Sequence, residues 1–169
     1  MSGELTIGSN VSAAAVNAFF RETRENGCEV HALQVYRGGE VVLRIAPAPY
    51  SCGDKREIYS LSKSFASTAI GLACDEGILS VDDRVVDLFP DKLPEKVSDN
   101  LAAMRVSHVL SMNTGRETCV MPLICESNDA ARAFLSQPVP YVPGTHFVYN
   151  TGASCMLAEI IKRVTGCGL

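Results

Sequence analysis

The stretch Ile58-Tyr59-Ser60-Leu61-Ser62-Lys63-Ser64-Phe65 constrains this chain most. It opens a run in which Leu61, Phe65, Ala66, Ala69, Ile70, Leu72 and Ala73 leave almost no polar side. A helix that is apolar all round is a buried helix. Gly77, after Asp75-Glu76, supplies a C-terminal stop. The spacing therefore predicts a core helix with a serine and a lysine in its first turn.

Residues three apart lie on one helix face, so Ser60 and Lys63 can touch. A serine hydroxyl is a weak nucleophile and needs a base beside it. Lysine serves as that base only when neutral, a form that desolvation favours. The helix start also offers unpaired N–H groups, including that of Ser60, where an oxyanion could be held. The pair alone is equally well read as a serine N-cap and a solvated lysine.

Composition excludes several classes. The 169 residues fit one domain or a little more, with 47% apolar and 20% charged residues and a net charge of −4. No basic stripe marks a nucleic-acid partner. No apolar run approaches a membrane span. The start, Met1-Ser2-Gly3-Glu4-Leu5, lacks the basic and apolar regions of a signal peptide, so the chain reads as cytoplasmic. Seven cysteines, at 28, 52, 74, 119, 125, 155 and 167, contain no Cys-x-x-Cys pair and read as thiols of a reducing compartment. His31, His108 and His146 stand in unrelated contexts, so no metal site or cofactor is expected.

From the start of the chain, Val11, Ala14, Ala15, Ala18 and Phe19 mark one face of a helix over residues 11–25, capped by Ser9 or Asn10 and ended by Gly27. Glu29–Tyr36 and Val41–Ile45 flank Gly38-Gly39 and predict a hairpin. Beyond Gly77 the pattern gives a short helix before Pro90, capped by Ser80 or Asp82. Further helices are expected over 105–112, 128–135 and 152–164.

A second candidate site is Phe147-Val148-Tyr149-Asn150-Thr151-Gly152, at the entrance to the last helix. A tyrosine hydroxyl at such a turn can relay protons. A core aromatic beside an Asn150 or Thr151 helix cap would leave the same pattern.

Taken together, the two segments resemble the serine β-lactamase and penicillin-binding-protein superfamily, in its class C and esterase-like branch. The likeness runs through Tyr59-Ser60-Leu61-Ser62-Lys63-Ser64-Phe65, Ala69-Ile70-Gly71-Leu72 and Asp75-Glu76-Gly77-Ile78-Leu79-Ser80-Val81-Asp82-Asp83. It continues in Val106-Ser107-His108-Val109-Leu110-Ser111-Met112-Asn113-Thr114-Gly115 and in Pro143-Gly144-Thr145-His146-Phe147-Val148-Tyr149, and covers residues 28–166. The resemblance implies Ser60 as acylated nucleophile and Lys63 as its base or proton relay. Tyr149 would act on the leaving group or in deacylation, and the Ser60 amide would form half of an oxyanion hole. Asn150 and Thr151 would face the substrate. Thr151 stands where the family's Tyr-x-Asn motif has asparagine, a variant associated with esterase and amide-hydrolase members.

A larger departure is the family's third element, Lys-Thr-Gly or His-x-Gly on a later strand, which this sequence lacks. The resemblance thus implies an N-terminal portion of an α+β, β-lactamase/transpeptidase-like fold. Residues 1–50 would give a helix and a hairpin of the antiparallel sheet, and 51–169 a mostly helical lobe carrying both motifs. The implied activity is acyl transfer to water through a Ser60 ester, on a small-molecule ester, amide or β-lactam. Two alternatives stand beside it. One is a penicillin-binding or D-aminopeptidase-like protein. The other is a non-catalytic chain that forms a homodimer or binds a partner through an open sheet edge.

Overall fold

A computed structural model describes residues 5–8 and 10–168 of the chain. The fold is α+β and divides after Glu57 into two compact units.

In the first unit, β1 (Leu5–Ile7), β2 (Leu33–Arg37) and β3 (Glu40–Ile45) form an antiparallel sheet in the order β1-β3-β2. The expected hairpin is β2–β3. Gly38 and Gly39, at φ +62° and +83°, adopt the left-handed pair that a tight hairpin turn requires. Leu33 pairs with Ile45 and Arg37 with Glu40, with a bulge between Val35 and Tyr36. Two corrections apply. The hairpin is not alone, because β1 adds a third strand on the far side of β3. Residues 29–32 also stay outside the sheet. There His31 stacks on Tyr50 with ring centroids 3.9 Å apart, and the Tyr50 hydroxyl donates to Glu29 Oε1.

Helix α1 (Ala13–Glu25) begins at Ser12, whose Oγ accepts from the Ala15 amide at 3.3 Å. Asn10 is therefore not the cap, and Ser9 lies outside the described residues. The inward residue is Val16, while Phe19 of the expected apolar face is 39% exposed. The alanines at 14 and 15 bury too little area to fix the helix's rotation, so the larger Val16 decides it.

The second unit is helical. After a 3₁₀ turn at Tyr59–Leu61 come α2 (Ser62–Asp75), α3 (Val85–Leu88), α4 (Asp99–Ala103), α5 (Val106–Leu110), α6 (Met121–Cys125), α7 (Ala130–Leu135) and α8 (Thr151–Thr165). Helix α8 is the axis of the core. Its buried Ala153, Met156, Leu157, Ile160 and Ile161 meet α2, α5, α6 and α7. Val85, Met104, Val106, Phe134 and Leu135 close that core. Neither Ser80 nor Asp82 caps α3, whose flanking residue is Arg84. Instead the Ser80 amide donates to Asp83 Oδ2 and the Asp82 amide to Ser80 Oγ, a local turn that competes with capping.

Helix α2 corrects the expectation of burial on every side. Ala66, Ile70 and Ala73 are buried, but Leu61, Phe65 and Leu72 are 57%, 61% and 59% exposed. One stripe enters the α8 core and the opposite stripe is an open apolar face.

The loop after α5 organises the rest of the unit. Met112 and Gly115 are both left-handed, at φ +56° and +77°. Along the edge so formed, the Tyr141 amide donates to Gly115 O (3.0 Å), Gly144 to Asn113 O (2.8 Å) and Val148 to Met112 O (3.2 Å). The segment leading to Tyr149 is thereby fixed before α8 begins. A Cβ on Gly115 would sit 2.2 Å from Tyr141 O, in a backbone conformation that side chains disfavour. Gly115→Ala should therefore destabilise the helical unit by about 3 kcal/mol, read as a lower urea midpoint. An unchanged midpoint would contradict this anchoring role.

Candidate active site

Ser60 sits in the 3₁₀ turn that feeds α2, and Lys63 lies one turn on. Lys63 Nζ is 3.1 Å from Ser60 Oγ. From the other side Tyr149 brings its hydroxyl to 2.8 Å from the same oxygen. Lys63 Nζ also stands 5.2 Å from the centroid of the Tyr149 ring. Two side chains, 86 residues apart in sequence, thus converge on the single hydroxyl oxygen of Ser60. The hydrogen bond to Ser60, then that to Lys63, hold the Tyr149 phenol below its ordinary pKa, although the ring is 55% exposed.

The backbone at the serine is unusual. Tyr59 adopts φ +43°, a left-handed conformation costing on the order of 1 kcal/mol for a residue with a Cβ. This bend turns the chain into the 3₁₀ turn immediately before Ser60. Lys63 is half-buried rather than enclosed.

Asn150 and Thr151 part ways. Asn150 is fully buried, and its Oδ1 accepts from the amides of Ala153 and Val120, both at 3.3 Å. It is the N-cap of α8 and its Oδ1 is spent on the backbone, while its Nδ2 is buried without a hydrogen-bond partner. Thr151 lines a cavity of 350 Å³ between α2 and α8, whose wall includes Lys63, Phe65, Ala66 and Cys155.

One neighbour of the site carried no spacing signal. The segment Cys119-Val120-Met121 is tied to the start of α8 by the Val120–Asn150 bond. Burial pushes the Cys119 thiol up, but the amides of Met121, Gly152 and Thr151 and the charge of Lys63 outweigh it, and the net shift is downward. Burial instead raises Cys155, whose sulfur lies 3.5 Å from Met121 Sδ. Cys28, Cys74, Cys119, Cys125, Cys155 and Cys167 are free thiols. Among the described residues, no group of three or more His, Cys, Asp or Glu side chains is placed to hold a metal. None of the described helices is long and apolar enough to cross a membrane.

An α+β chain that brings a helix-borne serine and lysine against a tyrosine has the makings of an acyl-transfer site, and comparison with known proteins agrees in fold. The sequence model of the family described as Beta-lactamase matches residues 16–168, and the chain belongs to that family. The structure of a family VIII carboxylesterase superposes with a TM-score of 0.72 at 22% identity, over 98% of this chain and 47% of that one. A penicillin-binding protein homologue from Caulobacter crescentus gives 0.74 at 22% identity, over 98% and 47%. A class C β-lactamase gives 0.70 at 20%, over 95% and 47%. At these identities the likeness is one of fold, β-lactamase/transpeptidase-like. The chain spans about half the length of each of these structures. No curated protein matches the sequence.

Proposed function

We propose that this chain carries the nucleophilic half of a serine hydrolase that works through an acyl-enzyme. The observation behind the reading is the single oxygen, Ser60 Oγ, within hydrogen-bond reach of both Lys63 Nζ and Tyr149 Oη. Ser60 Oγ attacks the substrate carbonyl, and its proton passes to the neutral amine of Lys63 or, where Lys63 keeps its charge, to the phenolate oxygen of Tyr149. The N–H of Ser60, at the start of a helical turn, would supply one donor to the developing oxyanion. As the tetrahedral intermediate collapses, the carbonyl–leaving-group bond breaks and the Tyr149 hydroxyl protonates the departing oxygen or nitrogen. Water then attacks the Ser60 ester, with the same pair taking its proton, and releases the acid.

The substrates that suit this chemistry are small esters, amides and β-lactams. Thr151 at the third position of the tyrosine motif favours ester or amide hydrolysis. A protein that acylates and turns over slowly, as a penicillin-binding protein does, would use the same groups.

The test is intact mass of the folded chain after exposure to a fluorophosphonate and, separately, to a penicillin. One adduct per chain, mapped to Ser60, is the expected result. No adduct with either reagent, or one mapped elsewhere, would remove the proposal. Steady release of product would distinguish hydrolysis from a single burst of labelling.

A further inference from the structure

Among the described residues, two that are not glycine have a left-handed backbone: Tyr59 at φ +43° and Met112 at φ +56°. A side chain disfavours that conformation, and residues kept in it cluster at working sites. Tyr59 precedes Ser60. Met112 meets the chain around Tyr149. Its carbonyl accepts from the Val148 amide at 3.2 Å, and its Sδ accepts from the Asn150 amide at 3.3 Å. One residue thus holds the backbone immediately before and immediately after the tyrosine. Met112 is itself fastened to the core, because its own amide donates at 3.2 Å to the carbonyl of Val109, a buried residue of α5.

A glycine would take this bend at lower cost and would offer the same carbonyl. What methionine adds is the sulfur. Asn150 is fully buried, and a buried N–H needs an acceptor. The thioether, a weak acceptor, receives it. Tyr149 itself is open to solvent, with its hydroxyl 2.8 Å from Ser60 Oγ. A ring so open gains little from packing, so the backbone beneath it sets where the hydroxyl lies.

We infer that Met112 is the positioning residue of Tyr149, a two-point clamp whose carbonyl and sulfur together place the phenol on Ser60 Oγ. Its part in acyl transfer rests on the function proposed above, whereas the clamp can be tested without that reaction. Met112 acts through the backbone of residues 148–150 and touches neither Ser60 nor the substrate.

Two variants of the 169-residue chain test the clamp. Met112→Leu keeps the side-chain volume and removes the acceptor. Met112→Gly relieves the bend, keeps the carbonyl and removes the sulfur. The readout is titration of the Tyr149 phenol, followed by NMR of isotope-labelled tyrosine and assigned by the signal missing from Tyr149→Phe. In the parent, the hydrogen bonds to Ser60 and then Lys63 hold this phenol below its ordinary pKa. In both variants the titration should move up toward that of an ordinary tyrosine. Fluorophosphonate labelling of Ser60 should slow by about 10–10²-fold, the scale of an ångström's misplacement. An unchanged titration in the folded variants would overturn the inference, since a methionine that only fills space leaves the phenol as it was. Met112→Gly decides the matter if Met112→Leu fails to fold. A parent chain that takes no label would count against acyl transfer, while the titration still decides the clamp. A shifted titration with labelling at the parental rate would uphold the clamp and take Tyr149 out of the reaction.

Discussion

The Ser60→Ala variant is expected to show no fluorophosphonate adduct while unfolding within about 0.5 kcal/mol of the parent. The two halves of this expectation have separate causes. Ser60 Oγ is the atom on which Lys63 Nζ and Tyr149 Oη converge, at 3.1 and 2.8 Å, so no other hydroxyl inherits both partners when it is removed. Ser60 is also exposed, and its replacement opens no cavity in the α2–α8 core. Labelling that survives in a folded Ser60→Ala chain would dismiss Ser60 as nucleophile.

Acylation in Lys63→Ala is expected to slow by about 10²–10⁴-fold, the usual worth of a positioned proton acceptor. The hydroxyl of Tyr149 remains in place there, but it loses the hydrogen bond and the charge of Lys63, which help hold its pKa down. Lysine and tyrosine therefore act as one unit, and a Lys63→Ala/Tyr149→Phe double variant should lose much less than the product of the two single losses. Progress of adduct formation followed by mass gives all three rates. Near-parental acylation in Lys63→Ala would take that residue out of the base role.

Much of the fold could be read from local sequence signals. The Gly38-Gly39 hairpin and the helices at 130–135 and 151–165 follow from turn residues and apolar spacing, which act over a few residues. Short elements were harder. Strand β1 has three residues, and α4 and α6 have five each, too few to establish a period. In α1 the small alanines and Phe19 point to one face, whereas packing selects Val16. Helix α2 departs from its local pattern for a related reason. Its sequence is apolar on both stripes, and which stripe is buried depends on the position of α8.

For the site, the sequence by itself determined the pairing of Ser60 with Lys63, because a helix brings residues three apart together wherever it lies. It also determined that Asn150 or Thr151 would cap the last helix. Tertiary structure decided between those two, giving the cap to Asn150 and the cavity wall to Thr151. It alone placed Tyr149 on Ser60, through the left-handed loop at Met112 and Gly115 that holds residues 141–148. It alone put the Cys119 thiol among the amides that open α8, and left the buried Arg116 Nε without an acceptor. The physical reason is the range of the interactions. Periodicity and capping act within a turn or two of chain, whereas these contacts join residues from 18 to 89 positions apart, which only the packed core brings together.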